Sequence, residues 1–188
     1  MKVTTDACLF GAWAAREILG WQSVITPQEP GKRNMLDIGT GTGLLTLMIA
    51  QKNPHLIIDS FEIDENAYVQ AKENILASSF KNKFYIRHTD ILKEPSLREY
   101  DIVISNPPFY ENELKSGNKL KNIAHHDEGL PLEELLPVIK NCLHSTSKFY
   151  LLLPFKRKKE IEMLLDKIVY IPPRSCPFAS PSITNTSG

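Results

Sequence analysis

Residues 34–51 read NMLDIGTGTGLLTLMIAQ, in which two apolar runs are separated by alternating glycines. The first run, residues 34–38, has the length and composition of a short strand, and residues 44–51 have those of a helix. Between the two runs stand Gly39, Gly41 and Gly43. Because they lack Cβ atoms, these residues allow the backbone to turn sharply and to approach a ligand closely. The stretch therefore predicts a strand–turn–helix unit of a parallel α/β sheet.

The rest of the chain repeats this alternation of short β-rich runs and longer helical patterns. Further strands are predicted at residues 56–62, 83–88, 100–105 and 148–153, with a last short strand at 167–171. Helices are predicted to start at Thr5 or Asp6 and to cover residues 65–78, 132–143 and 155–166. Pro137 is expected to break or kink one of them. The alternation predicts a doubly wound, mostly parallel sheet, with ligands bound beyond the carboxyl ends of its strands.

The composition is that of an ordinary globular protein. Of the 188 residues, 42% are hydrophobic and 23% charged, and Lys+Arg and Asp+Glu number 22 each. With no net charge, any contact with nucleic acid must come from a local patch. No apolar run approaches the roughly 18 residues of a membrane span, and no signal-peptide pattern is present. We predict one domain over residues 1–171 and a Pro- and Ser-rich tail at 172–188 that is loop or disordered.

The cysteines indicate a reducing compartment. They are Cys8, Cys142 and Cys176, an odd number without metal-ligand spacing. Such a set favours reduced thiols and a cytoplasmic protein. His125 and His126 have no further ligand at metal-binding spacing except Asp127, so we assign them to a loop and predict no metal site. Trp13 and Trp21 are predicted to pack in the core.

Acidic residues at successive strand ends suggest the ligand of the glycine turn. A dinucleotide fingerprint would need a third glycine where Leu44 stands, and the Gly-Lys-Ser/Thr ending of a phosphate loop is absent. Glu62 ends the second strand, where a carboxylate can accept hydrogen bonds from two ribose hydroxyls. An adenosyl ligand with a compact amino-acid tail, S-adenosylmethionine, fits this pattern. Asp37 would then help to fix its ammonium and Asp90 would accept from the adenine amino group; the alternative is a turn with solvent-facing acids.

Asn106-Pro107-Pro108-Phe109 follows the fourth predicted strand. Two prolines end the strand and stiffen the turn, and a rigid loop is the plain interpretation. An Asn side-chain oxygen and a Pro107 carbonyl are also two acceptors for the N–H groups of a flat exocyclic amine, whose lone pair would then face a methyl donor. Phe109 would stack on the base. Positioning of this kind lowers a barrier by roughly 7–11 kcal/mol, and no general base is assigned.

These motifs resemble those of class I S-adenosylmethionine-dependent methyltransferases, Rossmann-like enzymes with an Asn-Pro-Pro-aromatic signature that act on adenine N6, cytosine N4 or glutamine N5. Over roughly residues 1–155 the chain is similar to the bacterial tRNA1(Val) adenine-37 N6-methyltransferase family. The segments that carry this similarity are MKVTTDACLFGAWA, DIGTGTGLLTLMIAQ, FEIDENAYVQAKENI, ISNPPFYENELKSGN and HHDEGLPLEELL.

The resemblance implies a set of site residues. The catalytic residues would be Asn106, Pro107, Pro108 and Phe109. The cofactor-binding residues would be Lys2, Thr5, Asp37, Gly39, Gly41, Gly43, Glu62, Ile63, Asp90, Ile91 and Asn106. The family ends in an antiparallel strand pair, of which this chain offers only residues 167–171, so we expect that pair to be incomplete.

The implied partner is tRNA, at its anticodon loop. The candidate phosphate contacts are Lys115, Lys119 and Lys121 after the Asn-Pro-Pro turn, and Lys156, Arg157, Lys158 and Lys159 after the fifth strand. Three alternatives remain: a protein-glutamine N5-methyltransferase acting on release factors, a non-catalytic cofactor- or RNA-binding remnant, and a nicotinamide oxidoreductase, which the glycine spacing disfavours.

Overall fold

A single five-stranded sheet organises the structure. The structure is a computed structural model and describes residues 4–25, 32–94, 97–108 and 131–168. The strands are β1 (Asn34–Ile38), β2 (Ile57–Glu62), β3 (Lys83–His88), β4 (Tyr100–Ser105) and β5 (Leu143–Leu151). Their order is β3-β2-β1-β4-β5, and each pairing is parallel. The predicted doubly wound parallel sheet is therefore confirmed, and its strand order reverses between β1 and β4.

Five helices connect and cover the strands. They are α1 (Thr5–Ile25), α2 (Leu44–Lys52), α3 (Glu65–Ala77), α4 (Leu132–Asn141) and α5 (Lys158–Ile168). Short 3-10 turns occur at Ile91–Lys93 and Phe155–Arg157. The side chain of Asp64 starts α3 by accepting a hydrogen bond from the Ala67 N–H at 2.8 Å. No described helix has both the length and the apolar character needed to cross a membrane.

The sheet has a hydrophobic core on each face. Successive side chains of β1 point to opposite faces, so Met35 joins the core with α1 and α2 while Leu36 joins the core with α4 and α5. Trp13 and Trp21 pack against the first core, as predicted. Gly11 brings α1 close to α2, because a Cβ at this position would lie 2.7 Å from the Met48 sulfur.

Two strand predictions are wrong in part. β5 begins at Leu143 and ends at Leu151, whereas residues 148–153 were expected. The polar residues at its start concealed it: Ser147 Oγ accepts from the His144 N–H at 3.0 Å and donates to the Tyr100 carbonyl at 2.7 Å, across a register irregularity. Lys167 and Ile168 are helical, so no strand starts at residue 167.

The helix predictions need smaller corrections. α4 ends at Asn141 rather than residue 143 and continues through Pro137 as one element, since Leu135, Leu136 and Ile139 are buried around it. Residues 155–157 form a 3-10 turn before α5, which runs two residues beyond its predicted end. The other predicted strands and helices agree with the structure to within one residue. Residues 169–188, and with them the tail and the family's strand pair, lie outside the described residues.

Candidate active site

Two turns meet where the strand order reverses. Ile38 and Ser105, the last residues of β1 and β4, are paired in the sheet, and Ser105 Oγ donates to the Ile38 carbonyl at 2.7 Å. The glycine turn begins at the next residue of one strand, and Asn106 is the next residue of the other. The sheet thus brings together two motifs that stand 67 residues apart in the chain.

The glycine turn is left-handed at three positions. Gly39, Gly41 and Gly43 have φ of 69°, 58° and 83°, a region that residues with a Cβ rarely adopt. The Gly39 and Thr40 N–H groups donate to the Phe61 carbonyl at 2.9 and 3.1 Å, which ties the turn to β2. A Cβ at Gly39 would meet no described atom within 4 Å, so this side of the turn is open to a ligand.

Glu62 holds the turn from the neighbouring strand. Its buried carboxylate accepts from the Gly41 N–H at 2.7 Å through Oε2. Oε1 accepts from the Ile63 and Asp64 N–H groups, both at 2.9 Å. A carboxylate has about four lone-pair sites, so Glu62 can still accept from a ligand. This contact between Glu62 and the turn is not evident from the sequence.

Asp37 lies beneath the turn and is fully buried. Its Oδ2 accepts from the Thr40 and Thr46 hydroxyls, each at 2.7 Å, and Thr46 Oγ1 lies 2.8 Å from Ser60 Oγ. Its Oδ1 is buried and has no hydrogen-bond partner among the described residues. Burial raises the pKa of Asp37 to about 6, and hydrogen bonds from Thr46 and Thr40 oppose this rise. An unpartnered buried carboxylate oxygen fits a cationic or N–H group of a ligand.

Sequence reasoning missed the hydroxyl groups that hold Asp37. The signal in the sequence is Thr46 within the apolar first part of α2 and Ser60 within β2, since a buried hydroxyl needs a partner. Their meeting depends on the packing of α2 against the sheet.

Three other predicted cofactor residues follow strand ends: Ile63 comes directly after β2, and Asp90 and Ile91 come shortly after β3. Asp90 follows β3, its Oδ1 accepts from the Leu92 N–H at 3.0 Å, and its Oδ2 lies 3.1 Å from the exposed Lys93 Nζ. Ile91 is buried, whereas Ile63 is 61% exposed after β2. Thr5 is the first residue of α1 and is exposed. Lys2 lies outside the described residues.

The Asn-Pro-Pro turn exposes its members to different degrees. Asn106 is half-buried, Pro107 is buried and Pro108 is exposed. Within the described ranges the Asn106 side chain has no hydrogen-bond partner. Phe109 lies outside those ranges.

The basic residues 156–159, which follow β5, are partly paired with glutamates. Arg157 Nε donates to Glu160 at 2.9 Å, and Lys158 Nζ lies 3.8 Å from Glu162. Lys115, Lys119, Lys121, His125 and His126 lie outside the described residues. Cys8 and Cys142 are free thiols, and the described residues contain no group of three or more metal-ligating side chains.

Comparison with known sequences identifies the family. The family model of the methyltransferase small domain matches residues 23–130. A tRNA1(Val) (adenine(37)-N6)-methyltransferase from Dyadobacter fermentans is 43% identical over 154 residues, which cover 82% of this chain and 59% of that protein. Its counterpart from Flavobacterium psychrophilum is 33% identical over 175 residues, covering 92% of this chain and 69% of that one.

The chain is shorter than these relatives. It spans about three fifths of the Dyadobacter protein and 60% of a 42% identical counterpart from Pseudoalteromonas translucida, a match that covers 82% of this chain.

Solved structures share the fold at low sequence identity. An S-adenosylmethionine-dependent O-methyltransferase from Thermotoga maritima superposes with a TM-score of 0.57 at 14% identity, over 82% of this chain and 49% of that one. A precorrin-6y C5,15-methyltransferase from Geobacter metallireducens gives 0.55 at 15% identity, over 85% and 72%. With the motifs at the sheet edge, the sequence matches show that the chain belongs to the methyltransferase small domain family and, within it, to the tRNA1(Val) (adenine(37)-N6)-methyltransferases.

Proposed function

We propose that this protein transfers a methyl group from S-adenosylmethionine to the exocyclic N6 of an adenine in tRNA, adenine 37 of tRNA1(Val). The observation that carries the proposal is the pairing of Ile38 with Ser105, since it sets Asn106 beside the first residue of the glycine turn. A donor held by that turn and an amine held by Asn106 would then be neighbours. The family supplies the substrate, because the matched relatives are named for this reaction.

The residues present fit the cofactor. The unpartnered Oδ1 of Asp37 would receive an ammonium N–H, and the left-handed glycines would let the backbone approach the amino-acid part. The remaining acceptor site of Glu62 would accept a hydrogen bond from a ribose hydroxyl. Asp90 and Ile91 would border the adenine, with Ile63 against its face and Thr5 and Lys2 at the N-terminal side. The cofactor supplies an electrophilic methyl carbon and a neutral thioether as leaving group.

The Asn-Pro-Pro-Phe segment would orient the amine. Asn106 Oδ1 and the Pro107 carbonyl would accept hydrogen bonds from the two N–H groups. This would draw the nitrogen from its planar, conjugated shape toward a tetrahedral one and localise its lone pair toward the methyl carbon. Pro108 stiffens the turn, and Phe109 would stack on the base. In the transfer, a nitrogen–carbon bond would form as the carbon–sulfur bond breaks, and the amine proton would leave to water. The work of the site is orientation rather than acid–base chemistry.

The RNA would contact lysines near this edge. Lys115, Lys119 and Lys121 follow the Asn-Pro-Pro turn, and Lys156 and Lys159 follow β5. Arg157 and Lys158 would exchange their glutamate partners for phosphates. An adenine in an anticodon loop is already partly unstacked, so it enters the site at less cost than a duplex base. Such a substrate implies a protein of the cytoplasm.

Methyl transfer tests the proposal directly. The protein is incubated with labelled S-adenosylmethionine and an unmodified tRNA1(Val) transcript, and the digested RNA is mapped for N6-methyladenosine. We expect label at adenine 37 and none in a transcript with guanine at that position. Label in a release factor and none in tRNA would refute the RNA substrate, and cofactor binding without transfer to any tRNA would favour a non-catalytic module.

A further inference from the structure

A basic cleft lies at the amino ends of the strands, opposite the end of the sheet that carries the candidate active site. It has a volume of about 240 Å³ and is formed by the three loops that precede β1, β2 and β3. Each loop contributes a cation or an imidazole: Lys32 from the first, His55 from the second and Lys81 from the third. Lys83, the first residue of β3, also lines the cleft. Among the described residues, no acidic side chain lines the cleft. These side chains stand at the amino ends of the strands, away from the proposed reaction.

Hydrogen bonds join the loops that form the walls of the cleft. Asn82 lies between Lys81 and Lys83 in the chain, and its Nδ2 donates to the Asn53 and Leu56 carbonyls at 2.8 and 3.0 Å. The Ile57 N–H donates to the Arg33 carbonyl at 2.8 Å, which joins the first loop to β2. Leu56 is buried in the floor. The backbone segments that carry the positive side chains are therefore joined before any ligand arrives.

The charge of the cleft is unbalanced. Among the residues that the structure describes, no ion pair links Lys32, Lys81 or Lys83 to a carboxylate, and all three are exposed. In contrast, Arg33 nearby lies 3.5 Å from Asp101. Because the whole chain has no net charge, this local excess is a specific feature of the surface.

A stripe of side chains on the outer strand β3 leads from the cleft toward the carboxyl ends of the strands, where the candidate active site lies. Lys83, Tyr85 and Arg87 alternate along β3 and point to one face of the sheet. Tyr85 is 51% exposed, and the Arg87 side chain is 52% exposed although it lies 3.5 Å from Glu94. Because β3 leads from the cleft toward Asp90, the stripe from Lys83 to Arg87 spans roughly 13 Å, at about 3.3 Å per residue. Cations alternating with an exposed aromatic ring are typical of a surface that follows an RNA strand.

We propose that the cleft and this stripe bind phosphodiester groups of the tRNA, as a second contact remote from the target base. The inference rests on the proposed function for the identity of the RNA. Lysine ammonium groups bind phosphates as point charges, and tRNA extends far beyond one nucleotide, so a contact one strand length away lies within its reach. Such a contact increases affinity for the whole tRNA without touching the reacting atoms.

Salt-dependent binding tests the cleft. The Lys81→Gln/Lys83→Gln variant of the full chain is compared with the wild type for tRNA1(Val) transcript affinity over a range of NaCl concentrations. Each phosphate contact contributes about 0.7–0.9 to the slope of log affinity against log salt, so we expect the slope to fall by about 1.4–1.8. KM for tRNA should rise while kcat and S-adenosylmethionine affinity stay unchanged. The advantage of whole tRNA over an isolated anticodon stem–loop should shrink.

Two control variants separate charge from folding and position. Lys81→Arg/Lys83→Arg keeps the charge and should bind tRNA like the wild type, as should Lys72→Gln on α3. An unchanged salt slope in the glutamine variant, equal weakening in the arginine variant, or a wild type that binds no tRNA would overturn the proposal. So would saturable binding of inorganic phosphate at the cleft without any effect of the glutamine variant on tRNA. If the wild type binds tRNA through the cleft but transfers no methyl group, only the proposed function fails.

Discussion

Replacement of Asp37 by asparagine should change how the stability of the protein depends on pH. Asp37 is fully buried beneath the glycine turn, and two threonine hydroxyls donate to its Oδ2. Asparagine has nearly the same shape, and its side-chain oxygen can accept both hydroxyl protons. The substitution therefore removes the charge while preserving the hydrogen bonds that hold the side chain.

The magnitude follows from the pKa of Asp37. Burial raises it from 3.8 to about 6, so the folded state binds this proton more tightly than the unfolded state. Below pH 3.8 the group carries no penalty, and its contribution to stability is lost as the pH rises toward 6. At about 1.36 kcal/mol per pKa unit, the ionised carboxylate costs about 3 kcal/mol above pH 6. The Asp37→Asn variant has no such cost at any pH, although its amide introduces a buried donor that costs about 1–3 kcal/mol.

The difference between the two proteins is the quantity to measure. Urea unfolding followed by circular dichroism gives the free energy of unfolding of each protein between about pH 4 and pH 8, without cofactor. The variant minus wild-type difference should increase by about 2.5 kcal/mol across this range, because the contributions of the other titrating groups are the same in both proteins and cancel. A difference that does not vary with pH would refute the buried, unpartnered state of this carboxylate.

The same pair of proteins tests the contact proposed for the cofactor ammonium. Ionised Asp37 is the form that attracts a cation, so wild-type affinity for S-adenosylmethionine should increase as the pH rises through about 6. The asparagine variant should lack this increase and should bind about 10-fold to 100-fold more weakly at pH 8, the loss of a hydrogen bond to a charged group. Calorimetry at several pH values measures both effects, and parallel pH profiles would contradict the contact.

Three further substitutions probe the site. Asn106→Ala should leave S-adenosylmethionine affinity within about twofold but reduce methyl transfer by about 100-fold or more, since orientation is lost; single-turnover transfer measures this, and unchanged turnover would exclude the amine-holding role. Glu62→Gln leaves one acceptor oxygen for three N–H groups, so it should destabilise the protein by about 1–3 kcal/mol and weaken cofactor binding, as seen in thermal unfolding and calorimetry. Gly43→Ala should cost about 1–2 kcal/mol because φ is 83°, although a Cβ fits 3.5 Å from Ala71. Gly20→Ala in α1 is the matched control and should stabilise by about 0.5–1 kcal/mol; equal effects of the two glycine variants would argue against strain.

Local patterns were sufficient for most of the sheet. β1, β3 and β4 begin and end at the predicted residues, because each is a short β-rich run between strong turn signals. The glycines revealed the left-handed turn, since few other residues tolerate that backbone. The prediction failed where local pattern and pairing disagree: the start of β5 is polar, and it is a strand because β4 pairs with it and Ser147 bridges the irregularity.

The amino-acid order alone thus determined which segments are strands, which turn is left-handed and which side chains follow the strand ends, all of which depend on neighbours in the chain. The roles of the individual site residues stay predictions. Only the folded sheet decided that Asn106 lies beside the glycine turn, that Glu62 and Thr46 hold that turn and Asp37, and that three separate loops form one basic cleft. Each of these depends on contacts between residues far apart in sequence, and the order β3-β2-β1-β4-β5 sets which of them meet.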